Sequence, residues 1–194
     1  MDTGLLFAHG AGAPSSSPWM VGWTARLGAL GAVRPFDYPY MQRPGRRPPD
    51  RLPTLIEAHR EQVRALREAH ERIVLIGKSM GSRVGCHLAL EESVTALVCF
   101  GYPLRSPSGK MRDEVLLALD TPVLFIQGTR DKLCPLDLLA ETRAAMRAAS
   151  QLHVVETGDH SLQITRTHAK RSQTSQADAD AGMLAAIETF LATI

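Results

Sequence analysis

Cysteine is scarce in this sequence: the three present, Cys86, Cys99 and Cys134, form an odd set with no C-x-x-C spacing. That excludes a disulfide framework and gives no zinc-ligand pattern. It fits a reducing compartment, with the cytoplasm as the expected location. Aromatic residues make up only 5% of the chain, and the formal net charge is +2. So weak a basic balance leaves no footprint for nucleic acid or an acidic membrane surface as a partner. No apolar run approaches the roughly 20 residues of a membrane span. The opening residues, Met1 to Gly4 followed by Leu5–Ala8, have neither the basic start nor the apolar length of a secretory signal. What remains is ordinary globular material, 44% hydrophobic and 22% charged over 194 residues. A chain of this size removes roughly 70% of its unfolded surface from water, enough for one domain over 1–194 without staples.

Short apolar runs alternate with helical patterns from end to end. The runs are Gly4–Ala8, Ala32–Tyr38, Arg72–Gly77, Thr95–Gly101, Pro122–Gln127 and Leu152–Glu156. Each is nearly continuous rather than alternating, the pattern of parallel strands buried on both faces. The clearest helix is Asp50–Glu71, where Leu52, Leu55, Ile56, His59, Val63 and Leu66 share one side. Further helices are expected over Met20–Leu30, Met80–Glu91, Leu136–Ala149 and Ala179–Thr193, with a polar loop over Gln163–Ala179. Strand-helix repetition with right-handed crossovers predicts an α/β fold with one doubly wound, mostly parallel six-stranded sheet. Ligands of such sheets bind where the loops leave the carboxyl ends of the strands.

At one of those ends, Ile73-Val-Leu-Ile-Gly77-Lys-Ser79-Met-Gly81 carries a buried strand into G-x-S-x-G and then a helix. A serine on so tight a turn needs neighbours nearly without side chains, and Gly77 and Gly81 supply them. The helix N-terminus also directs its positive end toward charge that develops at the serine. Two rival readings of the glycine-rich letters fail. A phosphate-binding P-loop ending at Ser79 requires glycine where Arg72 stands, and a dinucleotide fingerprint starting at Gly10 requires glycine where Ser15 stands.

If Ser79 is a nucleophile, an acid and a base should follow it in chain order. Asp131 lies directly after the strand Pro122–Gln127, whereas Asp120 precedes that strand and falls on the wrong edge. His160 follows the last strand; His153 lies within it, His59, His70 and His87 are on helices, and His168 is the remaining competitor. Asp159, adjacent to His160, is expected to shape the turn. An oxyanion hole needs two backbone N–H groups, for which Met80 and Ala11 are the candidates, with His9 ordering the loop around Ala11. Trp19, Lys78, Tyr102 and Arg105 are the candidate substrate contacts; Trp19 and Trp23 also suit simple core packing. Arg43, Arg46, Arg47, Arg105 and Lys110 lie in Pro-rich loops at the same edge, either favouring an anionic substrate or merely solvated. Cys134 reads as a buried small hydrophobe.

Five segments, Phe7–Ala13, Gly77–Arg83, Gly101–Leu104, Gly128–Asp131 and Gly158–Ser161, occur in order. They resemble the lidless α/β-hydrolase branch related to dienelactone hydrolases, closest to the group containing the testis-expressed hydrolase-like protein and a subunit of the NSL chromatin complex. Dienelactone hydrolases use a cysteine where this chain has Ser79, so their substrate does not carry over. The resemblance implies fold and a Ser79–Asp131–His160 triad rather than a substrate, and some members of the group serve as scaffolds. The expected activity is that of a serine hydrolase of the carboxylesterase or thioesterase type, acting on a small-molecule ester or thioester, with no cofactor and no metal. The alternative is a non-catalytic interaction module on the same scaffold.

Overall fold

The computed structural model describes residues 2–45 and 47–194. Six strands, β1 (Thr3–Ala8), β2 (Ala32–Phe36), β3 (Arg72–Lys78), β4 (Ala96–Phe100), β5 (Val123–Gly128) and β6 (Ser150–Val155), form one sheet. Their order is β2-β1-β3-β4-β5-β6 and every neighbouring pair is parallel. Between and after them run α1 (Pro18–Leu27), α2 (Pro39–Gln42), α3 (Leu52–Arg67), α4 (Met80–Leu88), α5 (Glu114–Leu117), α6 (Leu136–Ala145), α7 (Arg166–Ser172) and α8 (Gln176–Ala192).

The continuous apolar runs have the physical meaning expected of them in the four central strands. Side chains alternate across a strand, so Leu5, Phe7, Val74, Ile76, Val98 and Ile126 face α1 and α8 on one side. Leu6, Leu75, Leu97, Cys99 and Phe125 face α3, α4, α5 and α6 on the other. Each layer needs its own apolar cover, which explains why neither face of these strands is polar. The two flanking runs depart from the expectation. β2 and β6 are edge strands, with only Phe36 and Val155 buried in them. An edge strand has one neighbour and lies beyond most of the helical cover, and Pro35, which has no N–H to give a ladder, is tolerated there.

The expected loop over Gln163–Ala179 instead contains α7 and the first turn of α8. Ser175 and Asp178 form a reciprocal cap at the start of α8: the Ser175 hydroxyl accepts from the Asp178 N–H, and the Asp178 carboxylate accepts from the Ser175 N–H. The S-x-x-D spacing was the available signal. The one-turn helices α2 and α5 were likewise not expected, because four residues hold no periodicity.

The strand order reverses after β2, so the chain leaves β1 toward one face of the sheet and leaves β3 toward the other. Ligand crevices of doubly wound sheets open at such a switch point. The loop after β1 and the turn after β3 meet there. No helix among the described residues is long and apolar enough to cross a membrane.

Two consequences for stability are testable. A Cβ added at Gly77 falls 2.1 Å from the Ser82 backbone nitrogen, whereas one at Gly12 meets nothing within 4 Å. Gly77→Ala is expected to cost more than about 3 kcal/mol in urea unfolding, while Gly12→Ala leaves the midpoint almost unchanged. The second concerns His59, which is fully buried on α3 with Nδ1 against the Tyr38 hydroxyl at 3.1 Å. Burial pushes its pKa from 6.5 down to about 3. The unfolded chain binds this proton near pH 6.5 and the folded one does not, so the stability is intact above that pH. It falls as the medium is acidified from there toward pH 3. His59→Gln should flatten the decline by about 1.4 kcal/mol per pH unit; an unchanged slope would contradict this account.

Candidate active site

The apolar strand β3 ends at Lys78, and Ser79 stands between it and α4 with φ 50 and ψ −113. A residue with a Cβ adopts that conformation only when its surroundings enforce it, at a cost on the order of 1–3 kcal/mol. The surroundings here are backbone. The Ser79 N–H donates to the Phe100 carbonyl at 2.9 Å, and a Cβ on Gly81 would sit 2.5 Å from the Ala8 carbonyl oxygen. Helix α4 therefore begins directly over the ends of β1 and β3, with Ser79 at its tip.

The chain from Ser79 continues through two side chains. Ser79 Oγ lies 2.8 Å from His160 Nε2, and His160 Nδ1 lies 2.7 Å from Asp131 Oδ2. Asp131 also accepts from Gln127 Nε2 at 2.6 Å and from the Leu133 N–H at 2.9 Å. Burial works to raise the Asp131 carboxyl, but the hydrogen bond and charge of His160, with the Leu133 and Gln127 donors, outweigh it and hold the pKa below the usual carboxylate range. An ionised Asp131 is acceptor-only, so His160 Nδ1 carries its proton and Nε2 is left to accept from the serine hydroxyl.

The loops that carry Asp131 and His160 are welded at the main chain. The Arg130 N–H donates to the Gly158 carbonyl at 2.8 Å, and the Thr157 N–H donates to Thr129 Oγ1 at 2.8 Å. A Cβ at Gly128 would stand 2.2 Å from the Gly158 oxygen, so only glycine lets the two loops come this close. Asp159, as expected, turns the chain, its Oδ1 accepting from the Ser161 and Gln163 N–H groups. Gly101, at φ 59, lets the end of β4 pass under the same loop, since a Cβ there would meet the His160 carbonyl oxygen at 2.9 Å.

Lys78 is almost fully buried beside this array. Its ammonium donates to the His160 carbonyl oxygen and lies 5.6 Å from the centre of the Trp19 ring. Burial lowers its pKa to about 8 against the opposing pull of the Asp131 and Asp159 carboxylates. Trp19 closes the far side, its Nε1–H donating to the Ser161 carbonyl at 3.1 Å. In the loop after β1, His9 Nδ1 donates to the Gly10 carbonyl at 2.6 Å while Nε2 accepts the Tyr38 N–H at 3.1 Å, so the ring is neutral and orders the turn. Tyr40 adds a bond from its hydroxyl to the Ala11 carbonyl at 3.0 Å. A cleft of about 400 Å³ opens over Ser79 and His160 between Gly10–Ala13, Trp19, Lys78 and Leu133.

Of the candidate substrate contacts, Trp19 and Lys78 line this cleft and Tyr102 and Arg105 do not. Tyr102 is fully buried in the core, stacked edge-on to Phe125, its hydroxyl donating to the Arg112 carbonyl. Sequence position put it in a loop, but the chain turns back under the sheet edge at that point. Arg105 is exposed on a short antiparallel bridge with Met111. Trp23 packs in the core, Arg43 pairs with Asp50, Lys110 is exposed, and Arg46 lies outside the described residues. Arg47 lines a separate surface cleft with Tyr40. His168 sits on α7 and shares another small cleft with His153. Cys134 is buried, which pushes its thiol up to about 12. Gln127 and Gly158 escaped the sequence reading, although an amide inside the apolar run Val123–Gly128 was a visible irregularity.

The family model described as an alpha/beta hydrolase domain matches residues 1–191, and the chain belongs to that family. Among solved structures it is similar to Est1E from Butyrivibrio proteoclasticus with bound ferulic acid, at TM-score 0.73 and 14% identity over 98% of this chain and 88% of that one. It is also similar to the RedJ thioesterase of the prodiginine pathway of Streptomyces coelicolor, at TM-score 0.67 and 17% identity over 97% and 90% of the two chains. An alpha-beta serine hydrolase homologue from Coxiella burnetii matches at TM-score 0.67 and 17% identity over 82% and 76%. At these identities the likeness is one of fold.

The Lys78 contact yields a prediction about motion. Lys78→Met removes a charged donor from the His160 carbonyl, a loss of about 2 kcal/mol. Amide exchange at Leu162 and Gln163, whose N–H groups bond within the same turn, should accelerate while exchange in β3 stays slow. Unchanged exchange at these two amides would mean that Lys78 does not hold the loop.

Proposed function

We propose that the protein is a serine hydrolase that cleaves an ester or thioester through an acyl-Ser79 intermediate. The observation that carries this reading is the unbroken hydrogen-bonded chain from Ser79 through His160 to a buried, ionised Asp131, ending at an open cleft. In this mechanism His160 Nε2 takes the Ser79 proton as Oγ bonds to the substrate carbonyl carbon. The leaving alcohol or thiol then departs with that proton. Water, deprotonated by the same nitrogen, attacks the acyl-enzyme, releases the carboxylic acid and restores Ser79. Asp131 keeps the proton on Nδ1 and stabilises the imidazolium. The N–H groups of Met80, at the start of α4, and of Ala11, in the loop held by His9 and Tyr40, receive the negative oxygen. A cleft of about 400 Å³ suits a small-molecule substrate, with Trp19 and Lys78 as its contacts.

Support also comes from family membership and from esterase and thioesterase neighbours of the same fold. The narrower kinship with the lidless branch related to dienelactone hydrolases rests on the five sequence segments. It is consistent with the connection from β4 to β5, which among described residues holds only α5 and a two-residue bridge. All three cysteines are free and buried, which suits a reducing compartment such as the cytoplasm.

A fluorophosphonate probe should label the wild type and fail to label Ser79→Ala. Turnover of a short p-nitrophenyl ester should fall by a factor on the order of 10³ or more in Ser79→Ala and His160→Ala. Asp131→Asn should fold and lose most of its turnover, because the amide favours the wrong imidazole tautomer, while Asp159→Asn retains it. No labelling of the wild type and no ester turnover would instead favour the non-catalytic interaction module.

A further inference from the structure

Ser79 borders a second cleft, of about 310 Å³, which adjoins the one described above and shares Ala11, Ser79 and Leu133 with it. Its charged lining comes from Arg83, Arg112 and Asp50. Arg83 is one helical turn beyond Ser79, so its side chain rises from the same side of α4. Arg112 comes from the connection between β4 and α5, anchored by its own backbone, whose N–H donates to the Leu104 carbonyl at 2.8 Å.

Two features of this pair require explanation. The first is the absence of an ion pair: among described residues neither Arg83 nor Arg112 makes one, although six other arginines, Arg26, Arg43, Arg60, Arg64, Arg67 and Arg147, do. Arg83 Nε is buried with no hydrogen-bond partner. An orphaned guanidinium N–H is costly in a folded protein, and a native one calls for a missing acceptor. The second is mutual repulsion. Burial and then the neighbouring Arg83 charge lower the pKa of Arg112, so the two cations are close enough to oppose one another. Asp50 does not relieve them, since Arg43 occupies its Oδ1 and its Oδ2 is buried without a hydrogen-bond partner. Two unpaired guanidinium groups beside a reactive serine are an oxyanion receptor lacking its anion.

We propose that this second cleft binds a carboxylate or phosphate group on the substrate, held by Arg83 and Arg112, so that the preferred ester carries a negative charge a few bonds from its carbonyl. This rests on the hydrolase reading above and narrows its substrate class. The rim arginines singled out in the sequence are then not the anion site: Arg43 is neutralised by Asp50 and Arg105 is exposed.

The test measures binding in the Ser79→Ala background by calorimetry, so that it stands whether or not the wild type hydrolyses esters. Neutral ester turnover by the wild type separately decides the hydrolase reading. Monomethyl glutarate should bind on the order of tenfold tighter than dimethyl glutarate, and the preference should shrink with added salt. Methyl phosphate, measured alongside, tells a phosphate source from a carboxylate one. Arg112→Gln and Arg83→Gln should each abolish the preference, whereas Arg105→Gln should leave it intact. Thermal melting checks that each variant folds, and the half-buried Arg112 decides alone if Arg83→Gln does not. No preference for either anion over the neutral diester overturns the proposal, as does a preference that survives Arg112→Gln.

Discussion

The architecture of the site depends on close approach between backbones at the carboxyl edge of the sheet. Gly77, Gly81 and Gly128 each occupy a position where a Cβ would lie 2.5 Å or less from a main-chain atom of another segment. Because those contacts exist, α4 starts over the ends of β1 and β3, and the two loops after β5 and β6 share hydrogen bonds. The strained backbone of Ser79 is a consequence: packing on both sides of the turn leaves it no relaxed alternative. Stability stored in the apolar layers of the sheet is thus spent on the geometry of a single residue.

The same edge concentrates buried charge, and the arrangement is close to balanced. Asp131 is ionised and nearly inaccessible, held by three donors. Lys78 supplies the opposite sign nearby and fastens the loop after β6 through the His160 carbonyl. Buried charges persist only when paired or hydrogen-bonded, so each member of this group depends on the others. Arg83 and Arg112 stand outside that balance, and for that reason they point beyond the protein for a partner.

Much of this was legible in the chain because it follows from short-range patterns. Continuous apolar runs require parallel strands covered on both faces, and G-x-S-x-G after such a run leaves little freedom about the turn. The placing of Asp131 and His160 after later strands then follows from topology, since every strand of a parallel sheet ends at the same edge. Tyr102 shows where this reasoning stops. It also follows a strand, but whether a side chain at a strand end faces the cleft or the core depends on how the next few residues fold back, and no local pattern records that. The edge positions of Ala32–Phe36 and Ser150–Val155 were hidden for a similar reason: apolar content reports burial demand, not rank within the sheet.

The sequence by itself determined the fold class, the strand sequence and the turn at Ser79, because periodicity and glycine placement are local properties with one economical solution. Only the tertiary structure decided which charges are satisfied. Lys78 and Arg83 are five residues apart and look equally cationic on paper, yet one is fastened to the His160 carbonyl and the other keeps a buried N–H without an acceptor. Such pairing depends on residues brought together from distant parts of the chain, and the free energy of a charge is set by those neighbours rather than by its own position in the sequence.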